Sequence, residues 1–85
     1  MPNIIVYSGP NCPYCVRAKA LLKKKGAAFE DVDVKADVAR FEEMLAKSNG
    51  QRTIPQIFIN GVHVGGCDEL HALDAAGKLD PMLAG

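Results

Sequence analysis

The sequence predicts an α/β domain in which a four-stranded mixed sheet is flanked by helices, in the element order β-α-β-α-β-β-α. Short β-branched runs alternate with amphipathic stretches in the first half of the chain. A strand–helix–strand opening implies two parallel strands joined by a crossover helix. The second half contains Asn60-Gly61 between two apolar runs, a hairpin signal that adds antiparallel strands.

The first strand and the first helix are predicted at residues 3–7 and 13–25. The strand is a short β-branched run, which is typical of a buried strand. Pro13 suits the first position of a helix, and Gly26 is a stop signal directly after it. One face of this helix carries the apolar residues Ala18, Leu21 and Leu22.

The second strand and the second helix are predicted at residues 28–34 and 37–48. The core candidates in the strand are Phe29, Val32 and Val34. The helix has an apolar face with the i, i+3, i+7 spacing of an amphipathic helix, formed by Val38, Phe41 and Leu45.

A hairpin and a short helix are predicted in the last part of the chain. The stretch QIFINGVHV, residues 56–64, contains the two-residue turn, and two glycines close the hairpin. Residues 68–76 are predicted to be helical, with Asp68 as the N-cap and with Leu70 and Leu73 facing inward.

Length and composition predict a single domain that spans residues 1–85. The formal net charge is 0, which gives no field strong enough to hold nucleic acid or an anionic membrane. No stretch approaches the ~20 apolar residues that span a bilayer, and the N-terminus lacks the pattern of a secretory signal. The expected compartment is therefore the cytoplasm, where a close cysteine pair is more often catalytic or metal-binding than structural.

Cys12 and Cys15, in the stretch CPYC, are the candidate catalytic residues. Cys12 directly precedes the predicted helix, so its sulfur can face the free N–H groups of the first turn and the helix dipole, which favour a thiolate. Cysteines in such settings can have pKa values of roughly 3.5–7.5, against about 8.5 when free. Cys15 lies one turn further on, on the same face. We therefore assign Cys12 as the nucleophile and Cys15 as the resolving thiol.

A zinc site is an alternative use for such a cysteine pair. A structural zinc site needs four ligands, usually as two closely spaced pairs. The other candidates are Cys67, His63 and His71, and neither histidine forms a close pair with another ligand. We therefore expect no metal and interpret both histidines as surface residues.

Three motifs, in their order and spacing, resemble those of the glutaredoxins, which are small oxidoreductases with a thioredoxin-like fold. The motifs are CPYC at 12–15, TIP at 53–55 and GGCD at 65–68, and the resemblance covers essentially the whole chain. It implies a monomeric, dithiol-type oxidoreductase with glutathione as co-substrate and no tightly bound cofactor. Its other partners would be disulfide-containing or glutathionylated proteins.

The resemblance also implies where glutathione binds. The peptide bond before Pro55 is expected to be cis, which leaves the Ile54 backbone unpaired beside Cys12. The cysteine of glutathione would pair with Ile54 like an added strand. Its γ-glutamyl carboxylate would meet the backbone N–H groups of Cys67 and Asp68 at a helix N-terminus.

Neighbouring residues complete the expected glutathione site. Gly65 and Gly66 leave room for a close approach, and the Asp68 side chain either reaches the γ-glutamyl ammonium or only caps its helix. Gln51 and Arg52, which precede Thr53, are candidates for holding the glycyl carboxylate, with a solvated loop position as the alternative for the arginine.

Three further positions complete the comparison with the family pattern. Many glutaredoxins carry a lysine three residues before the nucleophile, where this chain has Gly9, so one candidate cation for the thiolate and the tripeptide is missing. Cys67 is interpreted as a small buried residue, with an oxidation-sensitive thiol as the alternative. Tyr14 is expected to line the mouth of the cleft, with simple packing as the alternative.

The favoured function is reduction of protein–glutathione mixed disulfides through Cys12 alone, and of protein disulfides through Cys12 and Cys15. One alternative is a thioredoxin-like electron donor recharged by a flavoprotein reductase, which would share TIP but not GGCD. The other is an iron–sulfur cluster carrier, in which a dimer holds the cluster through Cys12 and glutathione. Pro13 disfavours it, because cluster-binding members usually have a small, flexible residue there.

Overall fold

The computed structural model describes residues 3–84, which fold in the element order β-α-β-α-β-β-α-α. The strands are β1 (Ile4–Ser8), β2 (Glu30–Asp33), β3 (Gln56–Ile59) and β4 (Val62–Gly65). The helices are α1 (Pro13–Lys24), α2 (Val38–Lys47), α3 (Cys67–Ala75) and α4 (Leu79–Ala84). The predicted domain of residues 1–85 also contains Met1, Pro2 and Gly85, which lie outside the described residues.

The four-stranded sheet is mixed, as predicted, with the strand order β2-β1-β3-β4. β1 and β2 are parallel, whereas β1 pairs with β3, and β3 with β4, in antiparallel fashion. The hairpin turn is confirmed: Asn60 and Gly61 have φ values of 52° and 80°, which a tight two-residue turn requires. β1 is an inner strand, so the loop from Ser8 to Cys12 leaves from the middle of the sheet.

Alternation along the inner strands gives the sheet two apolar faces. One face packs against α1, α3 and α4 through Ile4, Val6, Ile57 and Ile59. The face predicted for α1 is confirmed, because this cluster contains Ala18, Leu21 and Leu22. The opposite face packs against α2 through Tyr7, Phe58 and Met44. The first of these faces holds α1, and with it the cysteine pair, in a fixed position over the sheet.

α4 is absent from the predicted element order. Pro81 lies within this six-residue helix and conceals its short pattern, yet a proline in the first turn removes no helical hydrogen bond. Leu79 is fully buried in the larger core. Lys25, at the end of α1, forms ion pairs of 2.7 Å with Asp74 and 2.9 Å with Asp80, and so links α1 to α3 and α4.

The N-cap of α3 is Gly66, so the prediction that Asp68 is the N-cap is wrong. Glu69 supplies the capping interaction, since its Oε1 accepts a hydrogen bond of 2.6 Å from the Gly66 N–H. The helix begins at Cys67, and Asp68 is an exposed residue of its first turn.

Val38 is 76% exposed, so the prediction that it lies in the core is wrong. Met44 is the fully buried residue of α2, and Phe41 and Leu45 pack beside it as predicted. Val38 shares the apolar face with Leu45, but it is the first residue of α2, so it lies at the exposed end of that face.

Candidate active site

Cys12 is the N-cap residue of α1. Its backbone is extended, with φ −120° and ψ 97°, and Pro13 follows as the first helical residue. The Cys12 sulfur accepts a hydrogen bond of 3.1 Å from the Cys15 N–H. A sulfur at this position faces the free N–H groups of the first turn, where a negative charge is stabilised.

The two cysteines differ in their access to solvent. Cys12 is half-buried, whereas Cys15 is fully buried against the core. They form a disulfide with a Cα–Cα distance of 5.2 Å. An attacking sulfur must therefore reach Cys12 first, because Cys15 offers no surface.

The Thr53–Pro55 segment lies beside the cysteine pair. The Ile54–Pro55 peptide bond is cis, which confirms the expectation from the family resemblance. The Ile54 carbonyl oxygen lies 3.9 Å from the Cys12 sulfur. Within residues 3–84, no backbone hydrogen bond uses the Ile54 N–H or carbonyl. This short stretch of backbone can therefore pair with an extended ligand.

A cleft of about 480 Å³ runs from this segment to the start of α3. The residues proposed from the sequence that line it are Tyr14, Gln51, Thr53, Ile54, Pro55, Gly66, Cys67 and Asp68. Arg52 is exposed and is not part of the cleft wall. Tyr14 is 55% exposed at the mouth, with the Arg17 guanidinium 5.9 Å from the centre of its ring. A cleft of this size fits a small peptide.

The far wall of the cleft is the N-terminus of α3. Gly65 has φ +113°, a value that favours glycine. A Cβ added to Gly66 would lie 3.3 Å from the Pro55 carbonyl oxygen, so the two walls approach closely here. Because Glu69 already occupies the Gly66 N–H, the first-turn N–H groups of Cys67 and Asp68 are left to face a ligand.

Gln56 and His63 also line the cleft, and the sequence analysis assigned neither of them to the site. The buried Gln56 side chain donates from Nε2 to the Thr53 carbonyl at 3.0 Å and to the Thr53 hydroxyl at 3.1 Å. A carbonyl can only accept, so the amide oxygen faces the other way and accepts from His63 Nε2 at 2.6 Å. The Gln56 and His63 side chains therefore hold the start of the Thr53–Pro55 segment in place through Thr53. Gln56 directly follows that segment, which was the only local signal for its role.

Comparison with known proteins identifies the family. Residues 4–64 match the family model described as glutaredoxin. The chain belongs to the glutaredoxin family. It is 52% identical over 83 residues to Glutaredoxin 3 of Escherichia coli strain K12, a match that covers 98% of this chain and 99% of that protein. It is 50% identical over 86 residues to a glutaredoxin of Pseudomonas aeruginosa, with 99% of each chain covered.

Solved glutaredoxin structures share the fold. The crystal structure of the buckwheat glutaredoxin–glutathione complex superposes with a TM-score of 0.87 at 36% identity, covering 98% of this chain and 77% of that one. The solution structure of a Brucella melitensis glutaredoxin gives a TM-score of 0.82 at 54% identity, covering 95% and 87%. The chain is therefore a dithiol-type glutaredoxin with a thioredoxin-like fold and a redox-active Cys12–Cys15 pair. Its general activity is that of a glutathione-dependent thiol oxidoreductase.

The third cysteine of this glutaredoxin, Cys67, is 3% exposed, which confirms its interpretation as a small buried residue. Burial raises the pKa of the Cys67 thiol; Arg17 opposes this shift, whereas the carboxylates of Asp68 and Glu69 add to it. A buried thiol with a raised pKa is a poor nucleophile. The redox chemistry therefore belongs to the Cys12–Cys15 pair.

The remaining sequence expectations concern metals, membranes and the histidines. Among residues 3–84, no group of three or more His, Cys, Asp or Glu side chains could hold a metal ion. No helix in the described part of the chain is long and apolar enough to cross a membrane. His63 is exposed, as predicted, whereas His71 is only partly exposed.

Proposed function

We propose that this glutaredoxin reduces protein–glutathione mixed disulfides through Cys12 alone, and protein disulfides through Cys12 and Cys15 together. The observation that supports this proposal is the contrast between the two sulfurs. Cys12 is half-buried at the helix N-terminus beside the cleft, and Cys15 is fully buried behind it.

The first route needs a single cysteine. The Cys12 thiolate attacks the glutathione sulfur of the mixed disulfide, the S–S bond breaks, and the protein leaves as a thiolate that takes a proton from water. Cys12 is then disulfide-bonded to glutathione. A second glutathione thiolate attacks the glutathione sulfur of this bond, which yields oxidised glutathione and regenerates the Cys12 thiolate.

The second route uses both cysteines. Cys12 attacks a protein disulfide and forms a mixed disulfide with one of its sulfurs, while the other leaves as a thiolate. Cys15, once deprotonated, attacks the Cys12 sulfur and releases the second protein thiolate. The product is the Cys12–Cys15 disulfide, whose two electrons have passed to the protein substrate. Two molecules of glutathione then reduce it.

We assign the cleft to glutathione. Its cysteine pairs with the Ile54 backbone, which brings its sulfur to Cys12. Its γ-glutamyl carboxylate accepts hydrogen bonds from the N–H groups of Cys67 and Asp68, where the α3 dipole favours a negative charge. The Asp68 carboxylate meets the γ-glutamyl ammonium.

The other end of the tripeptide is assigned to the far side of Thr53. The glycyl carboxylate lies towards Gln51 and Arg52, with Tyr14 over the mouth of the cleft. Gly66 allows the peptide to approach the backbone. These assignments are supported by the cleft that these residues, Arg52 excepted, line together.

Two matched serine variants test this function. Cys12→Ser should abolish both activities, because the other two cysteines, Cys15 and Cys67, are buried. Cys15→Ser makes the same change one turn away and should retain deglutathionylation while losing reduction of protein disulfides. Turnover is measured by coupling to glutathione reductase, with a glutathionylated peptide and a disulfide protein as substrates. Activity retained in Cys12→Ser would contradict the assignment.

The physiological setting follows from the same chemistry. We assign the protein to the cytoplasm, where a reduced glutathione pool can recharge it. We also propose, from the family resemblance, that it is a monomer. Replacing glutathione and its reductase with a thioredoxin reductase should give little turnover.

The family match does not favour the thioredoxin-like or cluster-carrying alternatives. A visible absorption band after anaerobic reconstitution with iron and sulfide would instead support the cluster carrier.

A further inference from the structure

The cleft wall carries the wrong charge for the whole of glutathione. The tripeptide has two carboxylates and one ammonium group, so it carries a net charge of about −1 at neutral pH. The wall contains the carboxylates of Asp68 and Glu69, and none of its residues within 3–84 is a lysine or an arginine. The α3 N-terminus can accept one carboxylate. The glycyl carboxylate, at the Ile54 end, therefore needs a cation from outside the wall.

Lys35 has its side chain at that end. A Cβ built on Gly9 would lie 2.8 Å from Lys35 Cγ, 3.8 Å from Lys35 Cε and 3.1 Å from Ile54 Cδ1. The lysine side chain thus crosses the surface that Gly9 leaves open, and Ile54 Cδ1 borders the same surface. The Ile54 carbonyl oxygen is in turn 3.9 Å from the Cys12 sulfur.

The backbone of Lys35 is fixed by the turn that precedes α2. Asp33 Oδ1 accepts hydrogen bonds from the Lys35 N–H at 2.9 Å and from the Ala36 N–H at 3.2 Å. This local bonding is the usual way an aspartate sets a turn. The start of the side chain is therefore held in place while its ammonium end remains adjustable.

The ammonium group of Lys35 has no acidic partner within residues 3–84. The ion pairs in this range are made by Lys19, Lys25 and Arg40. Lys35 is exposed, so its charge is available to a ligand at the cleft rim. A carboxylate that binds there need not displace an internal pair.

We propose that Lys35 binds the glycyl carboxylate of glutathione and thereby determines the affinity of this glutaredoxin for glutathionyl substrates. The ligand is held between two positively charged groups: the α3 N-terminus binds one carboxylate and Lys35 binds the other. The proposal rests on the proposed function, since it assigns a further residue to the same cleft. Arg52 is the competing cation, because it is exposed next to the wall.

The test compares variants that change the charge but preserve the packing. Lys35→Met keeps an apolar side chain over Gly9 and removes the ammonium. It should raise KM for a glutathionylated peptide about twofold to fivefold with kcat nearly unchanged, the range expected for an exposed ion pair. Lys35→Arg should restore KM. Lys78→Met makes the same change in net charge on the exposed α3–α4 connection and should leave KM unchanged.

Two further measurements separate binding from a structural effect. The difference in KM between Lys35→Met and the wild-type protein should shrink between 0.1 M and 1 M salt, because the screening length falls from about 10 Å to about 3 Å. The exchange variant Gly9→Lys/Lys35→Gly moves the amine to the neighbouring backbone position and should recover most of the affinity. Gly9 tolerates a side chain once the Lys35 stem is removed, since its backbone is not left-handed.

Three outcomes would overturn this assignment: an unchanged KM in Lys35→Met, an equal rise in Lys78→Met, or a rise in Arg52→Met alone. In each case the wild-type protein would still turn over and Cys12→Ser would not, so the proposed function would stand. Failure of the wild-type protein to deglutathionylate any peptide would instead refute the proposed function.

Discussion

Replacement of Gln56 by glutamate tests how the active-site loop is held. The side chain is 3% exposed, and its Nε2 group uses both of its hydrogens on Thr53, at 3.0 Å and 3.1 Å. Glutamate has the same shape but two acceptor oxygens. Gln56→Glu therefore removes both donated bonds and puts a carboxylate against a carbonyl oxygen, while the bond from His63 can persist.

The expected loss of stability follows from these contacts. Two hydrogen bonds at about 1 kcal/mol each account for about 2 kcal/mol. Desolvation of a buried carboxylate, or its protonation, adds to this, so the free energy of unfolding should fall by about 2–4 kcal/mol. His63→Phe is the matched control. It preserves the stacking on Phe58, where the ring centres are 4.8 Å apart, and removes only the bond to the Gln56 oxygen, for about 1 kcal/mol.

Urea unfolding of the reduced protein at neutral pH measures both changes. The mixed-disulfide assay should show a lower kcat/KM for Gln56→Glu than for His63→Phe, because the Thr53–Pro55 segment borders Cys12. A loss of stability below about 0.5 kcal/mol in Gln56→Glu would refute the structural role assigned to Gln56, since substitutions at exposed positions usually change stability by no more than that. An equal loss in the two variants would show that the bonds to Thr53 contribute nothing.

Two further predictions concern the two sides of the sheet. Burial, together with the Glu43 carboxylate, raises the pKa of Tyr7 to about 12 from 10.0, so its stabilising effect is complete below about pH 10 and is lost as pH rises towards 12. Tyr7→Phe should therefore reduce the alkaline loss of stability by about 3 kcal/mol, measured by unfolding at several pH values; identical pH slopes would contradict this. On the other side, Leu22→Ala should cost about 2–5 kcal/mol, because Leu22 is fully buried in the larger core, and a urea midpoint equal to that of the wild type would disprove it.

Local patterns predicted the elements that form the sheet. The β-branched run of β1 and the Asn60-Gly61 turn carry their own signals, since each depends on neighbouring residues only. Pro13 and Gly26 likewise delimit α1 from within its own sequence. These elements were predicted to within a few residues of their observed bounds.

Elements that depend on distant contacts were predicted less well. α4 is short and contains Pro81, so its helical state is stabilised by burial of Leu79 and by the Lys25–Asp80 pair rather than by a periodic pattern. Val38 matched the helical spacing, but it is the first residue of α2, and how far the core extends along that helix is not a local property.

The candidate site shows the same division. The chemistry of Cys12 followed from its place before a helix, whereas the cis bond before Pro55 was expected only from the family resemblance. The support of Thr53 by His63 through Gln56 requires the hairpin to bring β4 beside β3. Lys35 approaches Gly9 only because β1 and β2 are parallel neighbours, so no sequence pattern could have paired them.

The ionisation of Cys12 in the reduced protein tests the proposed chemistry most directly. The Cys15→Ser variant leaves one accessible thiol, since Cys67 is buried, and the ultraviolet absorbance of the thiolate is followed against pH. An N-cap sulfur that accepts the residue-15 N–H and faces the helix dipole should show a midpoint below about pH 7.5, with a matching midpoint in its rate of alkylation. A midpoint near pH 8.5, about the value of free cysteine, would contradict the role assigned to the start of α1.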